Sequence, residues 1–140
     1  MDIVLAAISL FEEKQIEYAL IGGVAAMYYG QPRFTDNIDF LVAGLNASQI
    51  AVEAIAPAKI LFDTNCAEIV DRAFETPLKG RICRMVEVHD LIAMKLGVGR
   101  LSDDADISKI WLNNTIDDSR LRTLISPEQF AHFESIKRRT

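Results

Sequence analysis

The sequence predicts an α/β (α+β) domain: a small mixed β-sheet flanked by helices, with a C-terminal helical layer. Three observations predict it. Short apolar runs bounded by glycine or polar turns recur through the first 87 residues, as in "YALIGG", "IDFLVA" and "KILFD". Stretches with apolar residues at helical spacing stand between those runs. From about residue 88 onward only helix signals remain. At 140 residues the chain has the length of one ordinary domain. It therefore reads as a single domain, with a sheet-containing core over about residues 1–87 and a helical part over about 88–140.

Each element has a local reason. Val4, Ala7, Ile8 and Phe11 recur at helical spacing and predict a first helix over about residues 2–14. "IEYALIGG" reads as a short buried strand ending at Gly22-Gly23, and "VAAMYYG" as a short helix closed by Gly30 in a left-handed cap. "QPRFT" is a turn and "NIDFLVA" a second strand. "NASQIAVEAIA" suits a helix with Asn46 or Ser48 near its start. "AKILFDTN" is a third strand, "CAEIVDRAFE" is irregular or helical, and "TPLKGRICRMVEV" supplies one or two further strands around Gly80. "HDLIAMKLGVG" and "SDDADISKIWLNN" are helices, the latter opened by Ser102 and its acids. "DDSRLRTLI" and "PEQFAHFESIKRR" close the chain as helices. Ser126 caps the last one, Pro127 takes its first position and Lys137–Arg139 complement its C-terminus.

Composition excludes several function classes. Hydrophobic residues make up 50% of the chain and charged residues 25%, which supports a packed core rather than disorder. The net charge of −5 argues against a free-standing nucleic-acid binder, which needs a basic stripe, but leaves room for a local basic site. Cys66 and Cys83 form no C-x-x-C and neighbour no histidine cluster, so they read as buried free thiols in a reducing cytosol. No apolar run reaches the roughly 18 residues of a membrane span. The apolar N-terminus has no basic flank and turns acidic at once, so it reads as an amphipathic helix rather than a signal peptide. The expected location is cytoplasmic.

The chemistry gathers around "RFTDNIDFLV". Gly22-Gly23 joins a strand to a helix, a turn that offers backbone N–H groups to a phosphate. Taken alone, a glycine pair is more simply a tight turn. Arg33 and Thr35 precede the second strand. Asp39 lies on it, and Asp63 lies on the third, in "ILFDTN". Acids among apolar strand residues are costly unless paired or bound to a cation, so two on neighbouring strands suggest a shared divalent metal. Mg²⁺ favours carboxylates together with substrate phosphates. Strand alternation sends Asp36 and Asp39 to opposite faces and puts Asn37 on the same face as Asp39.

"LIGGVAAMYYGQPRFTDNIDFLV" resembles the signature of the nucleotidyltransferase fold in its small bacterial branch, which includes AbiEii-type toxins and minimal nucleotidyltransferases. The pattern there is Gly-Gly or Gly-Ser, a short helix, then R-x-T-x-D-I-D and an apolar run. This chain supplies Gly22-Gly23, Arg33, Thr35, Asn37, Ile38 and Asp39, with Asp63 where the family carries its third acid. "VEVHDLIAMKLGVGRLSDDADI" resembles the family's later helical stretch through Lys95, Arg100, Asp103 and Asp106. The resemblance covers roughly residues 15–112. It implies two Mg²⁺ ions (or Mn²⁺) held by three carboxylates, and transfer of a nucleoside monophosphate from an NTP to an acceptor hydroxyl with loss of pyrophosphate. It assigns metal binding and catalysis to Asn37, Asp39 and Asp63, and nucleotide binding to Gly22, Gly23, Arg33, Thr35 and Lys95. The acceptor stays open among a tRNA end, a protein hydroxyl and a small molecule.

Asn37 departs from the family, which has aspartate there. The amide offers a carbonyl oxygen but no charge, so metal affinity and catalysis both fall. The change is compatible with a natural degenerate member and with an engineered inactivation. Beside the enzyme reading stand a catalytically inactive nucleotide- or partner-binding module of a toxin–antitoxin type, and a domain retaining only the fold. Other residues have plainer readings. Lys95 either meets a phosphate or an acid, or extends to solvent. Asp103 and Asp106 either pair with Arg100 or Lys95, the plainer reading, or contact substrate directly. His89 and His132 are local caps or surface residues, Trp111 is core, and Tyr28 and Tyr29 either line a pocket or pack the helix.

Overall fold

The structure, a computed structural model, describes residues 3–32, 38–43, 59–62 and 67–140. They belong to two compact units, Met1–Ala25 with Phe34–Glu87 and Ala26–Arg33 with Val88–Thr140.

In the first unit the apolar runs become strands. β1 (Tyr18–Ile21) is buried at all four positions. It is the central strand of a five-stranded sheet. β2 (Asp39–Val42) lies antiparallel to it and β3 (Lys59–Phe62) runs parallel to β2. On the other side of β1 lies β5 (Arg81–Met85), parallel to it, and then β4 (Phe74–Leu78), antiparallel to β5. The sheet is mixed, as the sequence predicts. β4 and β5 form a hairpin in which Leu78 pairs with Arg81. Lys79 and Gly80 between them have φ of 52° and 78°, the left-handed pair a tight two-residue turn requires.

α1 (Ile3–Glu13) buries Val4, Ala7, Ile8 and Phe11, the periodic positions read from the sequence. Phe11 stacks on Tyr18 with ring centroids 5.0 Å apart and meets Phe40 edge-on at 5.1 Å, fastening the helix to β1 and β2. α2 (Gly22–Tyr29) leaves β1 without a linker. α3 (Ala67–Arg72) resolves the ambiguous stretch before β4 as a short helix packed on β1 and β2. Cys83 is a buried free thiol, and burial pushes its pKa up. Cys66 lies outside the described residues, as does the helix expected over 46–56.

The second unit contains the end of α2 and four helices: α4 (Val88–Val98), α5 (Leu101–Asn113), α6 (Asp118–Arg122) and α7 (Pro127–Arg139). Ser126 caps α7 as expected: its Oγ accepts from the Gln129 N–H at 3.1 Å, and Gln129 Oε1 accepts from the Ser126 N–H at 2.9 Å.

Four local expectations are corrected. Gly30 does not take a left-handed φ. Its lack of a Cβ matters instead because one would sit 3.0 Å from Lys109 Cβ and 2.9 Å from the Ala26 carbonyl. Ser102 does not open α5; Arg100 is its N-cap and Asp103 reaches back to the Arg100 N–H at 3.2 Å. His89 is neither a cap nor a surface residue. It is buried within α4, and its Nε2 accepts from the Asp117 N–H at 2.9 Å. Trp111 is half-buried rather than core.

Candidate functional site

The first unit brings Gly22 and Asp39 together. Ile21, the last residue of β1, pairs across the ladder with Asp39, the first residue of β2. Gly22 follows with φ 68°, which lets the chain turn from strand directly into helix. The absence of a side chain there makes room for the carboxylate. A Cβ on Gly22 would overlap Asp39 Oδ2 and stand 2.9 Å from Asp39 Cβ and 3.0 Å from its Cγ. Asp39 is half-buried, with Oδ1 shielded from solvent. The carboxylate thus lies against the start of α2, where the first-turn N–H groups have no intrahelical acceptor and favour negative charge.

The strand register sets a condition on the expected third acid. Asp39 pairs with Lys59 at the start of β3, whereas Phe62, the residue before Asp63, pairs with Val42. Three strand steps, about 10 Å, separate those two rungs of the ladder. Asp63 itself lies outside the described residues, as do Arg33, Thr35, Asp36 and Asn37. Among the described residues, no group of three or more histidine, cysteine or acidic side chains could hold a metal ion.

Lys95 belongs to the second unit and is 6% exposed, so it does not extend to solvent. Its Nζ donates to Asp106 Oδ2 at 2.8 Å and to Asp103 Oδ1 at 3.4 Å. Arg100 Nε donates to Asp103 Oδ2 at 2.8 Å. These are the ion pairs expected for Asp103 and Asp106, and they join α4 to α5. Burial alone would raise the Asp103 pKa. Hydrogen bonds from Arg100 and the charge of Lys95 outweigh it and hold the carboxyl below its ordinary value. His132 bonds Asp104 at 2.8 Å, linking α7 to α5. Tyr28 is 41% exposed and meets Tyr29 edge-on. The Tyr29 carbonyl accepts from Asn114 at 2.7 Å.

No protein-family model matches the chain, and no curated protein matches it in sequence. Among solved structures it is similar to a chain described as an antigenic nucleotidyltransferase-like protein from Paracoccidioides brasiliensis. The TM-score is 0.55 and the identity 13%, over 78% of this chain and 72% of that one. The fold is nucleotidyltransferase-like.

Within this nucleotidyltransferase-like fold, the alternation of short runs carried the strands, and the Gly-Gly turn and Asp39 were visible as motif residues. The Arg84 network was not. Its guanidinium donates to the carbonyls of Val70, Ala73 and Tyr18 at 2.8, 3.0 and 3.3 Å. No sequence spacing relates those partners. Among the described residues, no helix is long and apolar enough to cross a membrane.

Proposed function

We propose that the chain is a metal-dependent nucleotidyltransferase, moving a nucleoside monophosphate from an NTP to an acceptor hydroxyl, with activity weakened by Asn37. The observation that supports it best is the seating of Asp39 in the space left by Gly22, on a turn that runs straight into a helix. A hard carboxylate beside a Cβ-free helix start suits a divalent cation and a phosphate together. Asp39, with Asn37 and Asp63, would hold Mg²⁺ or Mn²⁺, which when bound would neutralise the triphosphate and activate the acceptor hydroxyl. Gly22 and Gly23 would receive phosphate oxygens on backbone N–H groups, and the resemblance gives Arg33 and Thr35 a part in nucleotide binding. Lys95 is reserved for the helical unit, because Asp106 and Asp103 already match its charge.

Calorimetric titration of the full chain with NTP tests this. Binding that requires Mg²⁺ or Mn²⁺ and strengthens in Asn37→Asp is the expected result. No binding with either ion overturns the reading. Asn37 itself favours a second reading, a catalytically inactive nucleotide- or partner-binding module. Metal-dependent binding without nucleotidyl transfer, in both the original chain and Asn37→Asp, would decide for it.

A further inference from the structure

The geometry points to a docking groove on the first unit for a basic peptide segment of a partner protein. The groove has a volume of about 370 Å³, inside the range of about 300–1,000 Å³ typical of ligand clefts. Ile16 and Ile82 form its apolar floor over the buried Phe11, and its rim carries Glu17, Asp71 and Glu75. Ile82 is 51% exposed, beside Cys83, which is buried. The groove is built from the end of α1, β1, α3 and the β4–β5 hairpin.

Among the described residues that line it, the one cation, Arg84, does not neutralise the rim. Arg84 spends its guanidinium on the carbonyls of Val70, Ala73 and Tyr18, and its own N–H donates to the Tyr18 hydroxyl at 3.0 Å. Those bonds tie α3, β1 and β5 together, so the groove is formed before any occupant arrives. Glu12, also on the rim, is engaged by Arg81 at 2.7 Å. Among the described residues, the side chains of Glu17, Asp71 and Glu75 enter no ion pair or hydrogen bond. The wider charge distribution agrees. The first unit's sequence carries twelve acidic side chains against six basic ones, and the second eight against nine.

An arginine or lysine fits this combination. Its aliphatic stem would lie on the apolar floor while its head reaches the carboxylates. A flanking apolar side chain would cover Ile82. Nucleic acid is repelled by the same charges. The inference is independent of the proposed nucleotidyl transfer, since Gly22, Gly23 and Asp39 take no part in it.

The test is fluorescence anisotropy on the full chain with a labelled peptide of alternating leucine and arginine, against one of alternating leucine and glutamate. Only the basic peptide should bind, less well as salt rises. Asp71→Lys with Glu75→Lys should weaken it by at least about tenfold, through like-charge juxtaposition. Glu13→Lys with Glu68→Lys makes the same change in net charge on exposed acids outside the groove, and should change binding by less than about twofold. Ile82→Ser should weaken the leucine–arginine peptide but not a serine–arginine one. All these positions are exposed, so the fold is retained, which circular dichroism checks. Equal weakening in both double variants, no binding of the basic peptide at low salt, or spermidine binding in its place overturns the proposal.

Discussion

Acids are buried, wholly or in part, in both units, and the two settings differ in what surrounds them. In the helical unit Asp103 and Asp106 meet Lys95 and Arg100, two anions against two cations. In the sheet unit Asp39 is set against a backbone position stripped of its side chain. The first arrangement satisfies charge and holds helices together. The second holds space beside a carboxylate at a helix start. Charge balanced inside a cluster points to architecture, and a carboxylate given room points to a ligand. Removing a member of each separates the two.

The largest effect is expected from Lys95→Ala. It removes the cation that two buried carboxylates share. Breaking a buried pair from one side costs about 3–5 kcal/mol. Urea unfolding should show that loss, and a change under about 1 kcal/mol would mean the cluster is not structural. Asp39→Ala should do the reverse. Nucleotidyl transfer by the Asn37→Asp chain should fall by about 10²–10³, the loss typical of removing one preorganised electrostatic group, with the unfolding midpoint nearly unchanged. Asp63→Ala in the same background sharpens the strand-register question. A matching loss makes Asp63 a ligand that the chain brings back toward Asp39 after Phe62. An unchanged rate removes it from the site.

These contrasts also show what the sequence could carry. α1 and α7 were legible because their signals are local: apolar spacing in one, Ser126, Pro127 and Gln129 in the other. The mixed sheet was legible because its strands are short apolar runs. The β4–β5 hairpin was blurred because a lysine, not a second glycine or an asparagine, takes the left-handed position at residue 79. Gly30, His89 and Trp111 were misread because their surroundings come from residues remote in the chain. At the site, Gly22 and Asp39 were legible as a motif, yet their contact comes from pairing β1 with β2. Arg33, Thr35, Asn37 and Asp63 lie outside the described residues, so their part rests on the resemblance. The peptide groove, drawn from four separate elements, left no trace in any one stretch.

A pair of glycines tests the same contrast at smaller scale. Gly22→Ala forces an alanine to φ 68° and drives its Cβ into the Asp39 carboxylate. A loss of about 1–3 kcal/mol is expected, together with weaker metal-dependent nucleotide binding. Combining it with Asp39→Ala should return the part due to overlap with the carboxylate and leave the part due to φ and to the 2.9 Å approach of the two Cβ atoms, a coupling that a double-mutant cycle reads directly. Gly97→Ala in α4 meets nothing within 4 Å and should stabilise the chain by up to about 1 kcal/mol through helix propensity.

The smallest effect lies in the acid limb of the stability curve. Arg100 and Lys95 hold the Asp103 carboxyl below its ordinary value against the opposing pull of burial. A carboxyl whose folded pKa lies below its unfolded value binds fewer protons in the native state. Its contribution is therefore complete above the unfolded value of about 3.9 and is lost as the pH falls through the lower folded value. Urea unfolding from pH 7 to about 2.5 should show stability declining through that window. In Asp103→Asn the curve should start lower and decline less steeply, because the linked proton is gone. Arg100→Ala removes a mostly exposed guanidinium, so it should reproduce the shallower limb with a smaller loss at pH 7 than Asp103→Asn. If both variants keep the original slope, the acid sensitivity belongs to other carboxylates, and the balanced cluster holds the helices without recording the pH.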